Sequence, residues 1–147
     1  MNYIELKAIV DKHIVRTSDT IPQNSSLIAL QLKLRLKNSI ECKEDCQGKE
    51  SPLNHCNACY VMYKGEYTIY YDEKYDYKNF CIAHEIAHHL LEHTKEGTAQ
   101  HHDANLMAAI IIAPEDLIHK RYSNTATRNN RHPYLTTGIA TISITRT

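Results

Sequence analysis

A chain of 147 residues suits one domain and can bury a core without disulfide staples. Hydrophobic residues at 42% exclude intrinsic disorder. Equal counts of Lys plus Arg and Asp plus Glu, 17 each, leave no basic excess for a nucleic acid or a membrane surface. The longest apolar run, residues 106–113, falls short of the roughly 20 residues of a spanning helix.

Tyr3, Leu6, Ile9, Val10, His13 and Ile14 recur at helical spacing and predict an amphipathic helix over 2–16. Leu30, Leu32, Leu34 and Leu36 alternate with Gln31, Lys33 and Arg35, and this period of two predicts a half-buried strand. Residues 38–59 are polar and read as an irregular, Cys-rich loop. Two β-prone runs, 60–63 and 67–71, flank Lys64-Gly65-Glu66 and predict a hairpin. Asp76 is the expected N-cap of a helix from about 77 to 93. A second helix from about 99 carries the apolar run, and Pro114-Glu115-Asp116 opens a short third helix over 114–122. The alternation in 139–144 predicts an edge strand. The start of the chain lacks a signal-peptide pattern, so the expected location is the cytoplasm.

Six of the ten His lie between His84 and His102. Among them, His84-Glu85-Ile86-Ala87-His88 is an H-E-x-x-H motif in a helical segment. Residues four apart on a helix sit about 40° apart around its axis, so both imidazoles can reach one zinc ion. Glu85 occupies the adjoining position, where a carboxylate can take a proton from a water that zinc has acidified. A catalytic zinc needs a third protein ligand. Residue 94 is Thr rather than His, so the ligand is expected from the second helix, which offers His101, His102 and Asp103. His89 and His93 fall on the other side of an extended helix and read as solvated.

The stretch from Phe80 to Leu91, with Ala83-His84-Glu85-Ile86-Ala87-His88 at its centre, is followed by Ala104-Asn105-Leu106-Met107-Ala108-Ala109 and Pro114. Together these resemble the ImmA/IrrE family of metallopeptidases, whose members typically read F-x-(I/L)-A-H-E-(I/L)-(G/A)-H-x-(L/I)-L and then E-x-E-A-N-x-F-A-A-x-L-L-M-P. The likeness spans residues 60–118. It implies a compact α+β zincin-like domain, a small sheet or hairpin packed on an active-site helix and a second ligand helix. One such domain would fill residues 1–147. The resemblance further implies a regulatory zinc endopeptidase that cleaves or inactivates a protein partner such as a helix-turn-helix repressor, often in phages or mobile elements. No direct contact with nucleic acid or membrane is implied. The family's third ligand, the first Glu of E-x-E-A-N, is His101 here, and its second Glu is Asp103. His101 is the favoured ligand and Asp103 the rival; they lie about 200° apart around a regular helix. Three neutral imidazoles would leave a site of charge +2, which motivates an alternative: a non-catalytic zinc-binding regulatory module on the same fold.

Cys42, Cys46, Cys56 and Cys59 form two pairs whose spacings suit a second, structural metal site. Cys81 reads as a small core residue.

Overall fold

A computed structural model describes residues 1–95 and 97–128. The first helix, α1 (Tyr3–His13), is set by a capping box. Asn2 accepts from the Glu5 N–H, and the Glu5 carboxylate returns to the Asn2 N–H. Leu6 and Val10 form its buried face. Asn24 caps α2 (Ser25–Gln31), accepting from the N–H groups of Ser26 and Leu27.

The leucine alternation does not make the strand expected of it. Leu30 lies in α2 and is 71% exposed, and only β1 (Arg35–Lys37) is extended. The Asn24 cap and the burial of Ile28 and Ala29 hold the segment helical, and leucine favours helices. Lys33 then turns the chain at φ 58°, which leaves Leu34 buried.

The Cys-rich segment is also more ordered than an irregular loop. A second capping box, Asn38 with Glu41, starts α3 (Ser39–Cys46), and Gln47 ends it in the left-handed region. A single 3-10 turn follows at Pro52–Asn54, capped by Ser51.

The hairpin forms as expected. Strands β2 (Ala58–Tyr63) and β3 (Glu66–Tyr71) pair antiparallel, with Tyr63 opposite Glu66. The connecting Lys64 and Gly65 both have positive φ, the requirement of a tight two-residue turn that matches strand twist. β1 joins β3 in parallel, so the sheet order is β1-β3-β2 and β2 stands at an edge.

Helix α4 (Lys78–Leu90) starts after Tyr77, with no side-chain cap; Asp76 is not its N-cap. Helix α5 (Thr98–Ile112) packs along α4. Between them and the sheet lie Ile69, Ile82, Ile86, Met107 and Ile111, with Leu6 and Ile28 from the N-terminal helices. Helix α6 (Glu115–Arg128) follows Pro114 and runs beyond the short element expected at 114–122. Arg16 pairs with Asp116 across this end of the molecule. The strand expected at 139–144 lies outside the described residues. The architecture is α+β, with six helices and a three-stranded sheet among the described residues. None of those helices is long and apolar enough to cross a membrane.

Candidate metal centre

Helix α4 buries one face through Ile82, Ala83, Ile86 and Ala87, which fixes its rotation against the core. That rotation decides where His84, Glu85 and His88 point. The Nε2 atoms of His84 and His88 lie 3.0 Å apart. Two ligands of a tetrahedral zinc with bonds of 2.0–2.1 Å are separated by about 3.3 Å, so the pair already has nearly the required span.

The third imidazole comes from the first turns of α5. The His101 N–H donates to the carbonyl of Gly97, the N-cap residue of α5. The His101 ring centre lies 5.4 Å from that of His84 and 5.6 Å from that of His88. One nitrogen from each of His84, His88 and His101 falls within 4.8 Å of the others, and the three can hold a metal ion. Asp103 is placed differently. Its carboxylate lies 3.2 Å from the Met1 ammonium. The structure therefore gathers His101, rather than Asp103, with the helical pair.

Glu85 is 6% exposed, next to His84 on α4, and α4 packs against β2. On that strand burial, and after it Cys56 and Glu85, push the Cys59 thiol up to about 12. His88 is nearly buried, at 3% exposure. Burial, and after it the neighbouring imidazoles of His84, His93 and His101, push its pKa down to about 4. His88 is therefore neutral near pH 7, the form that donates a lone pair to a metal.

Two histidines read as solvated are in fact engaged. The Nδ1 of His93 lies 2.9 Å from the Nδ1 of His88. The chain reaches this position because α4 ends early. The His93 N–H donates to the His88 carbonyl, the Glu92 N–H to the His89 carbonyl, and Glu92 adopts φ 55°. This is a Schellman motif with Glu in the left-handed position. A metal bound at Nε2 of His88 would leave its Nδ1–H as the donor to His93. The Nδ1 of His89 lies 2.7 Å from the Tyr60 hydroxyl, and its ring stands edge-on to Tyr60 and Tyr67. Burial lowers the His89 pKa as well.

None of the four paired cysteines is in a disulfide. Cys42 is buried within α3, Cys46 closes that helix, Cys56 is exposed ahead of β2 and Cys59 lies on β2. They are not gathered within 4.8 Å of one another as the three imidazoles are. No family model, no curated protein and no solved structure matches the chain.

Proposed function

We propose that the chain is a zinc-dependent endopeptidase of the ImmA/IrrE type. The convergence of His84, His88 and His101 beside the buried Glu85 carries this reading. Three imidazole nitrogen donors, two of them at nearly a tetrahedral edge, suit zinc, and three protein ligands leave a fourth position for chemistry. Bound zinc would supply a Lewis acid that acidifies water and polarises a carbonyl. Glu85 accepts the proton of the attacking water and passes it to the leaving amine. His84, His88 and His101 hold their positions through α4 and α5, and His93 fixes the tautomer of His88.

The substrate reading rests on the sheet edge. Among the described residues β2 has β3 on one side and no strand on the other, and it packs against α4. An extended peptide adding to that edge is held by main-chain hydrogen bonds beside the metal centre. The partner class is a protein, with a DNA-binding repressor as the leading candidate, and neither nucleic acid nor a membrane is contacted directly.

The test is hydrolysis of a mixed peptide library, read by mass spectrometry, in zinc-loaded, chelated and zinc-restored protein. Cleavage that disappears on chelation and returns with zinc supports the reading. Zinc retention without cleavage favours the alternative, a regulatory module that holds zinc and acts by contact alone.

A further inference from the structure

We propose that Cys42, Cys46, Cys56 and Cys59 form a second metal site, a tetrahedral thiolate site for structural zinc, independent of the histidine centre. The two pairs come from different elements. Cys42 and Cys46 are one turn apart on α3 and share a face, while Cys56 and Cys59 flank the entry to β2. The fold fastens these elements together beside the thiols. Tyr70 is the β3 partner of Cys59, and its hydroxyl donates to the carboxylate of Asp45, next to Cys46, at 2.7 Å. Lys37 from β1 pairs with the same carboxylate at 2.7 Å.

The loop between the pairs folds back on both. The Cys42 Sγ lies 3.4 Å from the Ser51 Oγ. The Cys56 thiol donates to the Pro52 carbonyl at 3.2 Å. Thiols from the two pairs thus rest on adjacent residues of one turn. The thiols also neighbour one another: the Cys46 side chain interacts with that of Cys42, and Cys59 lies within electrostatic reach of both Cys56 and Cys42.

No residue from 38 to 59 belongs to the main hydrophobic cluster or packs against it among the described residues. Ordering such a stretch costs conformational entropy, which a closed metal site offsets. Four thiolate ligands in two pairs suit a tetrahedral zinc.

The experiment removes the first centre and reads the second. The His84→Ala/His88→Ala protein, reduced and metal-free, is titrated with Co²⁺. Intense near-ultraviolet thiolate-to-cobalt absorption, saturating at about one ion per chain, is expected. Adding Cys56→Ser and Cys59→Ser should abolish it. In the wild-type protein, alkylation of Cys56 followed by mass spectrometry should slow at least tenfold on zinc loading. Cobalt spectra without thiolate absorption, or equal alkylation of Cys56 with and without zinc, overturn the proposal. Either failure leaves the histidine centre untouched, since the cobalt arm lacks it and the alkylation arm does not report on it.

Discussion

The rings of His88 and His93 meet Nδ1 to Nδ1 at 2.9 Å, at the point where α4 ends and the chain turns back. Partners of this kind orient a metal-binding imidazole, and losing one typically costs 10- to 100-fold in metal affinity. His93→Ala is therefore expected to weaken zinc binding by about that factor in a chelator competition. His93→Asn, which keeps an acceptor, should recover part of the loss. Equal affinity in wild type and His93→Ala would show that the contact does not position His88.

His101 and Asp103 give opposite results in the same assay. His101→Ala leaves two protein ligands and should lose zinc to mild chelation. Asp103→Ala breaks the contact with the Met1 ammonium and should keep most of its zinc. His101→Glu retains a ligating group and should retain zinc. Loss of zinc from Asp103→Ala alone would move the third ligand to Asp103.

Acid should destabilise the metal-free protein through its imidazoles. Burial holds the His88 pKa at about 4, below the ordinary 6.5, and the pKa values of His89 and His93 are lowered as well. Between those pH values the unfolded chain binds protons that the folded chain does not. Stability present above about pH 6.5 is therefore lost as pH falls toward about 4, by at most about 1.4 kcal/mol per unit for each such group. Urea denaturation of chelated protein from pH 7 to 5, above the main carboxylate range, measures this. A flat profile would contradict the burial of His88 as a neutral ring.

Glu92 holds φ 55°, a conformation that costs a side chain with a Cβ about 1–2 kcal/mol. Glu92→Gly should relieve part of that strain, against the larger entropy Gly loses on folding. A gain of up to about 1 kcal/mol in chemical denaturation is expected, with zinc content unchanged. A loss of stability would mean that the Glu92 side chain contributes more than its backbone strain costs.

The hairpin was legible because Gly65 in a short turn between β-prone runs has few other uses. The pairing of His84 with His88 was legible because helical spacing alone puts both on one face. The leucine run was not, since its period of two competed with the Asn24 cap and with burial of Ile28 and Ala29, which are tertiary facts. The Asn38-x-x-Glu41 capping box was present in the sequence and foretells α3, but the polar composition around it masked the signal. His93 escaped because its angular position was counted on a helix that had already ended. Nothing in residues 91–95 marks the stop, as the left-handed position holds Glu rather than Gly.

On the proposed reading, Glu85 works on chemistry enabled by a metal it does not hold. The direct measurement sets zinc content beside peptide hydrolysis in wild type and Glu85→Gln. The two proteins should carry equal zinc at the histidine centre, and the variant should lose hydrolysis by at least about 100-fold, the lower range for a general base. Equal hydrolysis by both proteins, or hydrolysis that survives removal of zinc, would contradict the account.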